Sequence, residues 1–280
     1  MNRQTPDAVD GAMHLIDIGA NLTHASFAGD LDEVLDRARA AGVVQALVTG
    51  TTLENTRQAL TLARSHAGRL FVTAGVHPHH ATELDATCEA GLREALAHPD
   101  VVAVGETGLD YFRDLAPRPV QRAAFERQLQ LAVDTRKPVF LHEREAHEDF
   151  VAILRSFEGK LVGAVVHCFT GGRRELSAYL DRGWHIGVTG WVCDERRGQG
   201  LFEVLQHIPA DRLMIETDAP YLLPRTVSPK PRDPRRNEPM YLLEVAAAVA
   251  RARGTSLEET AATTTSTARS FFRLPTETSS

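Results

Sequence analysis

Histidine and carboxylate residues recur along this chain where a short apolar run comes to an end. The runs are rich in β-branched residues, which is typical of strands buried on both faces of a sheet. The residues in or directly after such runs are Asp17, His77, Glu106, His142, His167 and Asp218. Imidazole and carboxylate groups together form divalent-metal sites that suit zinc, manganese or iron and, less well, magnesium. The predicted chemistry is therefore metal-assisted.

Each of these residues taken alone has a simpler explanation. A histidine that ends a strand is often a hydrogen-bonded structural residue, and Asp17 or Asp218 could belong to a turn. The recurrence of His77, Glu106, His142, His167 and Asp218 on five predicted strands favours a shared metal site. A carboxylate such as Glu106 could also bridge two ions about 3.5–4 Å apart, the spacing that activates water and stabilises a leaving oxygen.

The elements that must position these residues alternate regularly along the chain. Eight apolar runs, each followed by a helical segment, are predicted at 15–18, 43–48, 70–74, from 101 to the break at Gly105, and at 138–141, 163–166, 184–188 and 213–216. This pattern predicts a (β/α)8 TIM barrel of the metallo-dependent hydrolase type, in which the residues after each strand meet at one face. An open doubly wound sheet is disfavoured because no strand precedes a Gly-x-Gly-x-x-Gly motif.

Length and composition fit one catalytic domain. We predict a leader at 1–13, a barrel at 14–272 and a tail at 273–280 of the 280 residues. The net charge of −6 argues against a protein that coats nucleic acid nonspecifically. The three widely spaced cysteines indicate no disulfide framework. Without a signal-like apolar core or a membrane-length run, the sequence predicts a cytoplasmic protein with no membrane association.

Basic and aromatic residues would line the same face of the barrel. A proline-rich loop at 225–236 carries five basic residues against one acid and could clamp phosphate, or be a solvated loop. The predicted substrate-binding residues are His79, Arg144, Arg225 and Arg236. Four aromatic residues could stack on bases or only pack the loops, namely Tyr111, Phe112, Trp191 and Tyr221.

Four motifs resemble signatures of the TatD family of metal-dependent deoxyribonucleases. They are Gly75-Val76-His77-Pro78-His79, Gly105-Glu106-Thr107-Gly108-Leu109-Asp110, His167-Cys168-Phe169-Thr170-Gly171 and Glu216-Thr217-Asp218-Ala219-Pro220-Tyr221-Leu222. The resemblance extends from residue 15 to about residue 272. Two further stretches, 187–198 and 236–239, resemble the branch after which the family is named.

The resemblance implies a TIM-barrel hydrolase that cuts phosphodiester bonds. For this branch it implies a magnesium-dependent 3′→5′ exonuclease that acts on single-stranded DNA and RNA and takes part in repair of oxidative DNA damage. It implies that Glu106, His142 and His167 are metal ligands, that Asp218 is a ligand or the catalytic base, and that His77 lies beside the metal and the phosphate. The 3′ ends of nucleic acids are the expected partners, and no obligate protein partner is indicated.

The first strand departs from the pattern of many family members. These have His-x-His at its end, whereas this chain has Gly19 and Asn21. Glycine offers no side-chain ligand and an amide is a weak one. The sequence therefore predicts one firmly held ion and a second that is loosely bound or absent. It also favours magnesium over manganese or zinc, because magnesium uses few protein ligands.

Two other functions stay open at this point. One is a different hydrolase on the same barrel, such as a metal-dependent D-aminoacyl-tRNA deacylase, since a basic loop suits tRNA as well. The other is a nucleic-acid-binding protein with a degenerate site, an interpretation motivated by Gly19 and Asn21. The product released and the effect of a chelator distinguish these alternatives.

Overall fold

The protein is an eight-stranded parallel barrel surrounded by helices. The structure, a computed structural model, describes residues 13–196 and 198–276. Its strands follow one another in chain order around a single sheet. They are β1 (Leu15–Ala20), β2 (Val43–Val48), β3 (Leu70–Ala74), β4 (Val101–Asp110), β5 (Val139–Arg144), β6 (Ala164–Val166), β7 (His185–Val188) and β8 (Leu213–Ile215). The predicted (β/α)8 TIM barrel is confirmed.

Helices follow the strands and cover the barrel. They are α1 (Leu31–Ala40), α2 (Leu53–Ser65), α3 (Ala86–Leu96), α4 (Arg118–Thr135), α5 (His147–Arg155), α6 (Arg173–Leu180), α7 (Gln199–Leu205), α8 (Leu242–Arg253) and α9 (Leu257–Phe272). Three of them begin at a polar N-cap, because the side chains of Thr52, Asp85 and Ser256 accept a backbone N–H from the first turn. Gly254 ends α8 with a left-handed backbone, φ 67°.

The barrel closes where β1 meets β8. The amide of Asp218 donates to the carbonyl of Gly19 at 2.8 Å, and the amide of Asn21 donates to the carbonyl of Ala219 at 2.6 Å. Ala20 and Ala219 form a parallel bridge between these hydrogen bonds. We call this junction the seam. It brings the first and last strands together at the carboxyl end of the barrel.

Apolar side chains fill the barrel interior and continue into α9. The interior cluster includes Ile16, Ile18, Leu47, Phe71, Phe140, Val165 and Met214. Ala268 and Phe272 of α9 belong to the same cluster, and Thr265 Oγ1 of α9 donates to the carbonyl of His14, just before β1, at 2.8 Å. Helix α9 therefore covers the amino end of the barrel, which leaves polar chemistry to the carboxyl end.

Strand β4 continues further than the sequence predicted. We expected it to break at Gly105, but it stays paired with β5 through Asp110, so Glu106 and His142 lie within paired strands. The extension depends on Gly105 and Gly108, whose φ angles are 147° and 148°. A Cβ at Gly108 would collide with the carbonyl oxygen of His142. Glycine therefore lets the two strands continue side by side, where a residue with a side chain could not.

The predicted ends of the domain are only partly described. Most of the predicted leader, residues 1–12, and the last part of the tail, residues 277–280, lie outside the described residues. The beginning of the tail packs near the amino end of the barrel, where Gln45 Nε2 donates to the carbonyl of Pro275 at 3.1 Å. Across 13–196 and 198–276, no helix has both the length and the apolar character needed to cross a bilayer.

Candidate metal centre

One oxygen of Glu106 lies at the centre of the candidate site. Its Oε1 is 2.8 Å from His142 Nδ1 and 2.7 Å from His167 Nε2. Strands β4 and β5 carry the first two residues, and His167 follows β6 directly. The structure therefore brings together three of the predicted ligands, Glu106, His142 and His167, which we call the ligand cluster.

The outer nitrogens of the two histidines each face another carboxylate. His142 Nε2 donates to Asp110 Oδ2 at 3.2 Å, and His167 Nδ1 donates to Glu216 Oε2 at 3.4 Å. Both carboxylates are buried. This arrangement turns His142 Nδ1 and His167 Nε2 toward Glu106, and carboxylates that fix histidine orientation in this way are typical of metal sites. The phenyl ring of Phe140 stacks on His167, with the ring centroids 4.7 Å apart.

The charges of the cluster are strongly coupled. Burial alone would raise the pKa of Glu106, but the charge of His167 and hydrogen bonds from both histidines hold that pKa well below its usual range. Burial lowers the pKa of His142, yet its bonds to Asp110 and Glu106 outweigh burial and raise it. The pKa of His167 is raised well above its usual range by Glu106 and Glu216, against the effect of burial. Protons on these imidazoles thus occupy the place that a cation could take.

His77 lies beside the ligand cluster but differs from the two cluster histidines in its protonation. Its Nε2 is 3.3 Å from Glu106 Oε1 and 3.3 Å from His142 Nδ1. Its Nδ1 accepts the backbone N–H of His79 at 3.1 Å, so the proton of the neutral ring is on Nε2. Burial lowers the pKa of His77 to about 4. The ring is therefore neutral at pH 7 and presents an N–H donor.

His77, Glu106 and His142 offer ligand atoms that all lie within 4.8 Å of one another. This triad is a possible site for a divalent ion. The hydrogen bond to His77 Nδ1 nevertheless favours a donor role for His77, because a neutral imidazole has only one nitrogen free to bind a metal.

Asp218 lies at the seam and is held by Asn21. Asn21 Nδ2 donates to Asp218 Oδ1 at 3.0 Å. Burial raises the pKa of Asp218 to about 7, which His167 opposes and Glu106 and Glu216 reinforce. Asp218 is therefore within electrostatic reach of the ligand cluster. Its pKa suits a group that accepts a proton near neutral pH.

Asp17 does not reach the ligand cluster. It is fully buried, and its oxygens accept the Thr217 N–H at 2.9 Å, the Thr217 hydroxyl at 2.5 Å and the Gly19 N–H at 3.2 Å. Burial raises the pKa of Asp17 to about 7. Its role in this structure is to bind β1 to the residues that follow β8.

The seam gives a physical reason for Gly19. A Cβ at Gly19 would collide with Oε2 of Glu216, the oxygen that faces His167. A second glycine, Gly187, leaves room for the other Glu216 oxygen, since a Cβ there would lie 2.8 Å from it. That second oxygen accepts the Cys168 N–H at 2.5 Å. Glu216 therefore occupies the space into which a side chain at position 19 would project.

The predicted substrate-binding residues are spread around the rim. His79 Nε2 lies 2.8 Å from Asp110 Oδ2, so His79 adjoins the cluster. Arg144 is exposed, with its guanidinium 4.0 Å from the ring centroid of Phe112. Arg225 Nη1 is 3.6 Å from Asp194 Oδ2.

Arg236, the fourth of these residues, contacts residues that lie away from the cluster. It is paired with Asp30 at 2.7 Å and with Glu238 at 3.7 Å. Its guanidinium also lies 4.9 Å from the ring centroid of Phe27. The structure therefore brings His79, but not Arg236, to the ligand cluster.

Sequence reasoning missed the two carboxylates that hold the histidines. The alternation of side chains along a strand gives a signal that could have found Asp110. Asp110 follows Glu106 by an even number of residues within β4, so both side chains are expected on one side of that strand. Glu216 lies outside β8, and its contact with His167 in the folded chain is what reveals its role.

The donor set fits a divalent cation. Two imidazole nitrogens and a carboxylate oxygen converge, and each histidine is fixed by a second carboxylate. Together with the parallel (β/α)8 barrel, this set defines the class of metal-dependent barrel hydrolases. The chain belongs to the TatD related DNase family, whose family model matches residues 16–273.

Curated relatives match almost the whole chain. It is 52% identical over 260 residues to a protein of Erwinia amylovora named 3'-5' ssDNA/RNA exonuclease TatD, covering 93% of this chain and 100% of the relative. A protein of Edwardsiella piscicida with the same name is 51% identical, with the same coverage.

Solved structures share the fold. The YjjV TatD homolog from Escherichia coli K12 superimposes with a TM-score of 0.86 at 29% identity, covering 94% of this chain and 100% of that one. A TatD family hydrolase from Entamoeba histolytica gives a TM-score of 0.83 at 29% identity, covering 93% and 98%.

Proposed function

We propose that this protein is a metal-dependent nuclease that removes nucleotides from the 3′ ends of single-stranded DNA and RNA. The ligand cluster carries the proposal, because two histidines with anchored outer nitrogens direct their inner nitrogens to one oxygen of Glu106. The family and the names of the relatives in Erwinia amylovora and Edwardsiella piscicida support the substrate and the polarity.

Glu106, His142 Nδ1 and His167 Nε2 would hold one divalent ion, with Asp218 beside it. An ion bound there supplies positive charge that stabilises a phosphodiester in the transition state and acidifies water. Magnesium is the proposed working ion, as the family branch implies. Manganese and zinc are expected to bind these imidazole nitrogens more tightly. A second ion would be held weakly, because Gly19 supplies no ligand and Asn21 is bonded to Asp218.

Asp218 is the proposed general base. Asn21 fixes its Oδ1 and leaves Oδ2 to take a proton from the attacking water. A pKa of about 7 for this buried carboxyl is close to the working pH, which is where a general base is most effective.

His77 is the proposed donor to the phosphate. Its neutral ring carries the proton on Nε2, the nitrogen that faces Glu106 and His142. A neutral donor can form a hydrogen bond to a phosphate oxygen without adding a full charge to a site that already binds a cation. His79 holds this tautomer through its backbone N–H and adjoins the cluster through Asp110.

Arginines at the rim are proposed to contact the strand beyond the scissile bond. Arg144 and Arg225 are exposed and suit phosphate oxygens. Arg236 stays a prediction as a substrate contact, since Asp30 holds its side chain. The cytoplasmic location and the part in repair of oxidative damage also stay predictions.

The test is a time course on a 3′-labelled single-stranded oligonucleotide with magnesium, manganese, zinc or a chelator. We expect stepwise release of labelled mononucleotides with magnesium and none with chelator. A parallel reaction on D-aminoacyl-tRNA measures release of the amino acid. Amino-acid release without nucleotide release would replace the nuclease by a deacylase. Binding of the strand without either product would favour the degenerate binding protein.

A further inference from the structure

A cavity next to the ligand cluster has the character of a base-binding site. Its volume is about 340 Å³, and its lining includes the two cluster histidines, Arg144, Trp191, Gly200 and Leu201. His142 and His167 belong to the wall, so whatever fills this cavity lies directly beside the proposed metal. We propose that it binds the base of a nucleotide attached to the scissile phosphate, an inference that rests on the proposed nuclease function.

Trp191 is the aromatic residue that the structure assigns to this role. Of the four aromatic residues predicted near the rim, it is the one in the lining of this cavity within the described residues. Tyr111 donates its hydroxyl to Asp149 at 2.6 Å and has Arg118 over its ring at 4.3 Å. Phe112 has Arg144 over its ring.

The segment that carries Trp191 is fixed to the barrel. Trp191 lies in a short 3-10 helix, Gly190–Cys193. Its backbone N–H donates to Oγ1 of buried Thr189 at 3.5 Å. A Cβ at Gly190 would collide with the carbonyl of Leu222, so this helix packs closely on the loop after β8. An indole held in a fixed position is a suitable platform for a planar base.

Apart from Arg144, which could contact a neighbouring phosphate, the remaining wall suits a planar base. Leu201 adds apolar surface, and the cavity is lined by the backbone of Gly171, Gly172, Gly198 and Gly200. The carboxylate of Glu143 is engaged by the Ala146 N–H at 2.8 Å and by the Tyr179 hydroxyl at 3.0 Å. Stacking accepts every base, so we expect this site to require a base and to discriminate little among the four.

The test compares a normal oligonucleotide with strands that carry one abasic residue at the terminal or the penultimate 3′ position. For the wild-type protein, kcat/KM should fall by about tenfold or more at one of these positions, since stacking on one base is lost. This preference for the base is the ratio of kcat/KM on the normal strand to kcat/KM on the abasic strand. In Trp191→Ala that ratio should fall toward one. In Gly200→Leu it should shrink as well, because a Cβ at Gly200 meets nothing within 4 Å and the larger side chain can fill the cavity without disturbing the fold.

Phe202→Ala is the matched control. This aromatic residue lies on the same helix, α7, is partly exposed and is not part of the cavity lining. It should keep the wild-type preference. Equal loss by Trp191→Ala on normal and abasic strands, or no wild-type preference at either position, would overturn the base site while leaving the nuclease in place. Absence of any chelator-sensitive cleavage by the wild type would instead reject the nuclease itself.

Discussion

Two groups of polar side chains share the carboxyl end of the barrel and use their carboxylates differently. On the ligand cluster, His142 and His167 direct their inner nitrogens to one oxygen of Glu106. At the seam, the oxygens of Asp17 accept hydrogen bonds from Thr217 and Gly19, and Asp218 accepts one from Asn21. Protein donors therefore hold the seam carboxylates, although burial still raises their pKa values to about 7, whereas the cluster carboxylate is held by protonated histidines or by a cation.

This difference indicates which group of side chains is suited to bind a metal ion. A buried carboxylate without a partner is costly, and protein hydrogen bonds or a cation can remove that cost. At the seam, protein hydrogen bonds reduce this cost, whereas the ligand cluster is arranged to bind a cation. The proposed arrangement is one firmly held ion beside a catalytic carboxylate, and four measurements examine it.

Loss of Glu106 should have the largest effect. Glu106→Gln removes the charge at which both histidines converge, so we expect activity to fall by more than about 10³-fold with loss of tight metal binding. Single-turnover kinetics and calorimetric metal titration measure the two effects, and circular dichroism checks the fold. Glu94→Gln, on the exposed face of α3, is the control. Retention of metal affinity by Glu106→Gln would place the ion elsewhere.

Asp218→Asn should separate catalysis from metal binding. The amide keeps the size of the side chain and tolerates the left-handed backbone at this position, φ 54°. We expect kcat to fall by about 10²–10⁴-fold, the range for loss of a general base. Metal affinity should change by only a few-fold, since the ligand cluster is intact. If affinity falls as far as in Glu106→Gln, Asp218 is a ligand of the firmly held ion.

Glu216→Gln tests a residue that directly follows β8 and contacts His167 of the ligand cluster. The amide can still accept the Cys168 N–H, but it no longer offers His167 Nδ1 a charged acceptor. Metal affinity should fall by about 10–100-fold, as for other residues that orient a ligand. Asp110→Asn should have a similar effect through His142. Calorimetric titration measures the metal affinity of each variant. An unchanged affinity in both would show that these carboxylates do not support metal binding.

Proton release on metal binding is the smallest expected signal. The pKa of His142 is raised and that of His167 is raised well above its usual range, so both rings in the metal-free protein bind a proton more readily than a free imidazole does. An ion that binds Nδ1 and Nε2 should displace up to about two protons, and fewer as the pH rises. Calorimetry in buffers of different ionisation enthalpy counts them. Binding at the seam would release no more than about one proton in total, because Asp17 and Asp218, each with a pKa of about 7, are near half-ionisation there.

Much of the fold was predictable because the strands are buried on both faces. Apolar runs such as Val43–Val48 contain enough β-branched residues to be recognised without the structure. The extension of β4 through Asp110 was not predictable from that pattern, since Gly105 and Gly108 normally indicate a break. Only the partner strand β5 shows why glycine is needed there.

The proposed ligands could be located from the sequence, whereas the residues that hold them in place mostly could not. Glu106, His142 and His167 were found because each ends an apolar run, and the structure brings them together. The use of Asn21 to orient Asp218 depends on a hydrogen bond between residues far apart in the chain, which local pattern does not encode. The same is true of Gly19, whose neighbour Glu216 directly follows the last strand, β8.

The hydrogen bonds from Thr217 to Asp17 join residues that are 200 positions apart. During synthesis the chain acquires Glu106, His142 and His167 well before Thr217 and Asp218 have been added. The seam cannot close on a shorter chain, and the proposed general base is missing until then. The candidate site is therefore complete only after β8 and the residues that directly follow it have been added.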